Sequence, residues 1–160
     1  MTTRLLGRAM LPKVLRGPLI HPHIAAALAS AGHGSKVLLS DGNYPHATRR
    51  GPNAVLVFLN LSPGKLGVVD VLTVLAAAIP IEAAAVMAPN EGRDDPPIWS
   101  EFQRVLRESA AEVTALVPLD REGFYAAAST SDVCLTIATG EQALYANLLL
   151  TIGVVTWAPA

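Results

Sequence analysis

The chain has 160 residues, 51% of them hydrophobic, with 12 basic and 13 acidic side chains and a net charge of −1. That length suits one domain, and the balanced charge leaves no electrostatic footprint for nucleic acid or an anionic membrane surface. The single cysteine, Cys134, excludes an internal disulfide and a thiolate zinc cluster.

Residues 1–12 read as a loose leader, followed by one domain over 13–160. The apolar stretches between Arg4, Arg8, Lys13 and Arg16 are too short for a secretory signal. A first helix is predicted from Ile20, with Pro22 in its first turn, where a missing N–H costs nothing. Ile24, Leu28 and Ala31 supply its apolar face, and Gly32 sits at the position just past the helix end. Lys36 to Ser40 is a buried strand that exits at Asp41. Asp41 to Asn53 is a loop rich in Gly, Asn, Pro and Thr that carries Tyr44, His46, Arg49 and Arg50.

Ala54 to Leu59 reads as a strand, and Ser62-Pro63-Gly64 as a turn. A helix follows over Gly67 to Ile79, ended by Pro80, then a strand over Glu82 to Met87. The apolar zone Val68 to Ala88 is interrupted by Asp70, Pro80 and Glu82; a membrane span needs about 20 mostly apolar residues, so none is expected. Trp99 to Ser109 is an amphipathic helix, with Trp99, Phe102, Val105 and Leu106 on one face and Arg104, Arg107 and Glu108 on the other. Val113 to Val117 is a predicted strand. Asp120 is a good N-cap for a helix through Ala128. Strands over Val133 to Ala138 and Leu148 to Ile152 complete the chain. Alternating strands and helices predict a layered α/β domain, and the continuous apolar runs suit a sheet covered on both faces. Mean hydropathy of +0.40 is high for a soluble monomer, which predicts burial of apolar surface against other subunits. The default location is the cytoplasm.

Several groups can carry chemistry. His33, on a glycine-flanked turn, has a side-chain type that exchanges protons near neutrality; the competing reading is a turn histidine bonded to backbone. Asp41, at the carboxyl end of a strand, is placed to reach a ligand crevice or to close an Asx-turn with Gly42 or Asn43. Tyr145 and Asn147 match the donor-and-acceptor character of a hydroxyl-rich ligand, or lie on a loop and contact nothing special. Arg121 is a ligand-orienting charge or a solvated residue in a first helical turn. His21, His23 and His46 are weaker candidates, and none of the histidines has a metal-ligand spacing. Cys134, within an apolar run, reads as a small buried hydrophobe.

Ala29-Ser30-Ala31-Gly32-His33-Gly34, Ser40-Asp41-Gly42-Asn43-Tyr44-Pro45 and Gly140-Glu141 with Tyr145-Ala146-Asn147 together resemble the ribose pyranase / fucose mutarotase family. The likeness runs from about Leu19 to Val155. It implies a single three-layer α/β/α domain and a cofactor-independent isomerase, with no metal, that interconverts anomers or ring forms of a monosaccharide. It places the proton donor on His33, and sugar contacts on Asp41, Arg121, Tyr145, Ala146 and Asn147. Arginine at 121, followed by Phe124 and Tyr125, looks like the fucose branch, where the ribose branch carries histidine. It also implies a homo-oligomer, often a decameric ring, with sites near subunit boundaries. Three departures stand out: Ser35 replaces the usual aspartate of Gly-His-Gly-Asp, the loop Pro45 to Arg50 differs from the usual small residues, and the segment Phe58 to Gly67 is unusual. The alternatives are a non-catalytic sugar-binding or scaffold protein of the same fold, and a sugar isomerase or hydrolase using the same pocket.

Overall fold

The computed structural model describes residues 15–156 apart from 110 and 114, so the expected leader over 1–12 lies outside the described residues. The elements are α1 (Pro22–Ala29), β1 (Lys36–Ser40), β2 (Val55–Phe58), α2 (Val68–Ala76), β3 (Ile81–Met87), α3 (Ile98–Glu108), β4 (Val117–Leu119), α4 (Arg121–Ala128), β5 (Val133–Ala138) and β6 (Leu148–Ile152). The strands form one six-stranded sheet in the order β2-β5-β1-β6-β3-β4. β1, β2 and β5 run parallel, as do β3 and β4, while β6 runs antiparallel to both of its neighbours, β1 and β3. Five strands therefore share one direction, and β6 opposes them.

Successive strand residues face opposite sides of a sheet, and each side of this one is covered. Val37 and Leu39 of β1 join Leu135, Ile137, Leu148 and Leu150 under α1, α2 and α3. Leu38 joins Leu149, Met87 and Val133 under Phe124 and Ala128 of α4, with Tyr44 at the margin. The result is the expected α/β/α layering, with three helices on one face and one on the other. Full burial of such Leu and Phe side chains contributes about 1.5–3 kcal/mol each.

Several boundaries differ from expectation for local reasons. α2 ends at Ala76 rather than Ile79, because the Ala78 and Ile79 N–H groups both turn back to the Leu75 carbonyl, so Pro80 is not what ends it. α1 starts at Pro22, not Ile20, because the His21 ring accepts the Ile24 N–H at 3.4 Å and caps the helix. That helix ends at Ala29, so Gly32 is not its terminating glycine; the residue in the left-handed region is Gly34, at φ +80°. β4 lies at Val117–Leu119 rather than 113–117, because the ladder with β3 pairs Ala85 with Val117 and Met87 with Leu119. Val113 and Leu116 pack against the core from the preceding connector. Pro118 is tolerated because β4 is an edge strand. The Asp120 cap is present, accepting from the Gly123 N–H. Cys134 is half-buried in β5, with its thiol 3.3 Å from the Lys36 carbonyl and its pKa raised by burial. Among the described residues no helix is long and apolar enough to cross a membrane.

Candidate active site

Parallel strands bring their carboxyl ends to one edge of the sheet, and the reversed β6 brings its start there too. Asp41 follows β1, Met87 ends β3, Arg121 follows β4 and Asn147 precedes β6. These residues line a cavity of about 180 Å³, together with Asn43, Tyr44, Tyr125, Leu144 and Tyr145. Crevices at the carboxyl ends of strands are the usual ligand sites of open α/β sheets.

Asp41 and Asn147 are 106 positions apart in the chain and meet because Leu39 of β1 pairs with Leu148 of antiparallel β6. The Asn147 side-chain oxygen accepts the Asp41 N–H at 2.9 Å, and its nitrogen donates to Asp41 Oδ2 at 3.0 Å. The Asn43 N–H donates to Asp41 Oδ1 at 3.0 Å, and the backbones of Ala146 and Tyr44 also favour the carboxylate. The Asx-turn and ligand-crevice readings of Asp41 are thus compatible: one oxygen closes the turn while the residue lines the cavity. Only 4% of Asp41 is exposed. Burial outweighs these hydrogen bonds and raises its pKa above 3.8, which favours a carboxyl able to hold a proton.

The tract before β6 is held from several sides. Tyr145 sits at φ +58°, in the left-handed region that non-glycine residues seldom adopt. Trp99 Nε1 of α3 donates to its carbonyl at 3.2 Å. Ala146 is wholly buried in the core under α1–α3 and does not line the cavity. Glu141 does not line it either: its Oε2 accepts the Val68 N–H at 3.3 Å, at the start of α2, and its Oε1 accepts the Gln142 and Ala143 N–H groups. A carboxylate suits a helix N-terminus, so Glu141 fastens the tract to α2.

The loop after Asp41 forms the other wall. The Tyr44 hydroxyl donates to the Arg49 carbonyl at 2.6 Å, and burial raises its pKa. The Arg49 guanidinium lies 5.3 Å from the centre of the Tyr125 ring. Ser40 Oγ donates to the Ile137 carbonyl, so the 2.6 Å contact with His46 is a bond donated by Nε2–H of the ring. Burial lowers the His46 pKa below 6.5. His46 supports the wall without lining the cavity. Arg121 and Tyr125 lie one turn apart at the start of α4, so both face the site. Asn43, Tyr44, Met87, Tyr125 and Leu144 were not singled out as cavity residues from the sequence; the i,i+4 spacing of Tyr125 from Arg121 was a usable signal for one of them.

His33 is not in this cavity. It precedes β1, so it lies at the opposite edge of the sheet from Asp41, across a strand of five residues at roughly 3.3 Å each. There its Nε2 lies 2.9 Å from Glu82 Oε2 at the start of β3, and its side chain is 60% exposed. It lines a separate groove with Leu28, Ile79, Pro80, Val154 and Val155. Ser35 closes the turn that carries it: Ser35 Oγ accepts the Gly32 N–H at 3.2 Å. Among the described residues no group of three or more His, Cys, Asp or Glu side chains could hold a metal ion.

Comparison with known proteins agrees with this architecture. The chain is 32% identical over 152 residues to the human fucose mutarotase, covering 88% of this chain and 93% of that protein. A structure of the Streptococcus pneumoniae fucose mutarotase in complex with L-fucose superposes with a TM-score of 0.71 at 27% identity, covering 88% of this chain and 99% of the other. Bacillus subtilis RbsD complexed with D-ribose gives 0.71 at 26% identity, covering 89% and 98%. The model of the RbsD / FucU transport protein family matches residues 15–155, and the chain belongs to that family.

Proposed function

We propose that this protein is a cytoplasmic monosaccharide mutarotase that acts on L-fucose or a closely similar sugar, in a site that a second copy of the chain completes. The observation that carries the reading is the buried Asp41–Asn147 pair on a cavity also lined by Arg121, Tyr125 and Tyr145. The fucose mutarotases among its relatives support the reaction and the choice of sugar.

Each lining group has work in such a reaction. Tyr and Asn side chains match hydroxyls that both donate and accept. Met87, Leu144 and the tyrosine rings offer apolar surface to the non-polar face and methyl group of a 6-deoxy sugar. Arg121 orients the hydroxyls. Asp41, with its raised pKa, takes or holds the proton of the anomeric hydroxyl as the bond from C1 to the ring oxygen opens. A second group must protonate the ring oxygen. The open-chain aldehyde then turns about C1–C2 and recloses, and both protons return.

His33 is the proposed donor to the ring oxygen, and one protomer cannot bring it to Asp41. A neighbouring copy can, because His33 is exposed and sits among apolar side chains that call for cover. Val154 and Val155, which line the groove with it, are 58% and 62% exposed. Homo-oligomerisation through this edge, in a ring of copies, would pair each His33 with the next cavity.

Anomer exchange measured by saturation-transfer NMR on L-fucose, D-ribose and D-galactose tests the reaction. Protein-dependent transfer, strongest for L-fucose, is expected. His33→Ala and Asp41→Asn should each lose about 10²-fold or more. Reassembling the two variants together should restore part of the activity, because mixed boundaries regain one intact site. No recovery on mixing, with subunit exchange verified by native mass spectrometry, would remove the shared-site reading.

A further inference from the structure

Three segments converge at the edge of the sheet opposite the cavity. The Gly34 N–H donates to the Ile152 carbonyl at 2.9 Å, and the Ile152 N–H donates to the Ser35 carbonyl at 2.9 Å. The Gly153 N–H donates to the Pro80 carbonyl at 3.0 Å. The turn carrying His33, the end of β6 and the start of β3 are therefore tied together by backbone. Glu82, second residue of β3, extends its carboxylate to His33 Nε2 at 2.9 Å. Gly153 leaves the space for it: a Cβ there would stand 3.2 Å from Glu82 Cβ and 3.6 Å from Oε2.

We propose that Glu82 is the positioning residue for His33, fixing the proton on Nε2 and presenting Nδ1 to the sugar; this rests on the mutarotase reading above. An ionised carboxylate only accepts hydrogen bonds, so the ring nitrogen facing it must donate. In the neutral ring the proton then resides on Nε2, and Nδ1 keeps the free lone pair. When the ring is protonated, Nδ1–H is the proton given to the ring oxygen. The electron pair of the breaking C1–O bond receives it, and the neutral Nε2–H tautomer remains, already bonded to Glu82. Reclosure returns the same proton to Nδ1. Ser35, next on the turn, serves the backbone of the turn rather than the ring. The carboxylate that serves the ring comes instead from β3, 49 positions away.

Long-range ¹⁵N–¹H correlation spectra of the imidazoles, alongside steady-state anomer exchange, test this on the full-length protein. Wild type should show the Nε2–H tautomer at His33. Glu82→Gln can still accept from Nε2 and should keep that tautomer. Glu82→Ala should give a tautomer mixture and lower kcat about 10-fold, a fraction of what acid–base groups typically supply, with KM little changed. Unaltered melting temperatures in both variants check that the fold is intact. A Glu82→Ala protein with the wild-type tautomer and wild-type kcat, beside an inactive His33→Ala, overturns the pairing and leaves the mutarotase reading standing. Wild-type protein that exchanges no sugar overturns that reading, and the catalytic role of Glu82 with it.

Discussion

The two ends of β1 are built to different standards. At the carboxyl end, Asp41 is buried and its polar atoms have partners within the same protomer. At the amino end, His33 is exposed, and among the described residues its side chain has one hydrogen-bond partner, Glu82, beside uncovered valines. A pre-formed, desolvated pocket strengthens every interaction made inside it, and one chain is enough to make it. An exposed histidine on a well-braced turn has position but no enclosed environment of its own. The sheet thus supplies one enclosed half-site at the carboxyl end and leaves the histidine at its amino end uncovered.

The contrast is broken most severely by removing Asn147. Asn147→Ala leaves the buried Asp41 N–H without its acceptor and takes one donor from the carboxylate. An unmet buried polar group costs about 1–3 kcal/mol, so we predict a loss of roughly 2–4 kcal/mol in urea unfolding, with anomer exchange lost as well. His33→Ala, at an exposed turn, should shift stability by no more than about 0.5 kcal/mol. If the two variants unfold at the same midpoint, the carboxyl end is no more pre-organised than the amino end.

This asymmetry was only half legible in the sequence. Periodicity and caps located the strands and helices because each segment states its own pattern: Lys36 to Ser40 is apolar throughout, and Asp120 stands where an N-cap belongs. Asp41, Arg121, Tyr145 and Asn147 were legible as candidates because each stands at an element end, and the fold brings all four to one cavity. The direction of β6 was not legible. Nothing within Leu148 to Ile152 says that it runs against β1, yet that reversal makes Asn147 the partner of Asp41. His33 illustrates the opposite error. Eight positions from Asp41 reads as close, but an intervening strand puts the two at opposite edges. Nothing in the sequence marks Glu82 as the partner of His33, because their contact depends on β3 lying beside β6 in the sheet.

A second, smaller difference between the two ends depends on pH. His46 backs the enclosed end, and burial depresses its pKa below 6.5. Between that lowered value and 6.5 the unfolded chain binds more protons than the folded one. Stability therefore rises with pH through this window and falls as pH drops through it. Asp41 acts with the opposite sign: its pKa is raised above 3.8, so between 3.8 and the raised value the folded state holds the extra proton and stability falls as pH rises. Melting temperatures of wild type and His46→Gln from pH 7.5 to 5 read the first effect, since Gln can still donate to Ser40. The wild type should lose more stability on acidification, and parallel curves would remove His46 desolvation as the cause.

The smallest effect belongs to the uncovered end. Lys36 Nζ lies 2.8 Å from Asp132 Oδ2, bridging the start of β1 and the residue before β5. The Lys36 hydrogen bond, with a further one from Thr130, lowers the Asp132 pKa. The aspartate side chain is 45% exposed, and ion pairs at that exposure contribute about 0–1 kcal/mol and are screened by salt. Asp132→Asn should therefore cost less than about 1 kcal/mol at low salt, and the difference from wild type should fade in 1 M NaCl. A larger loss that survives high salt would mean that the amino end, too, carries a desolvated charge network, and the division of the strand into an enclosed and an uncovered end would have to be redrawn around Lys36.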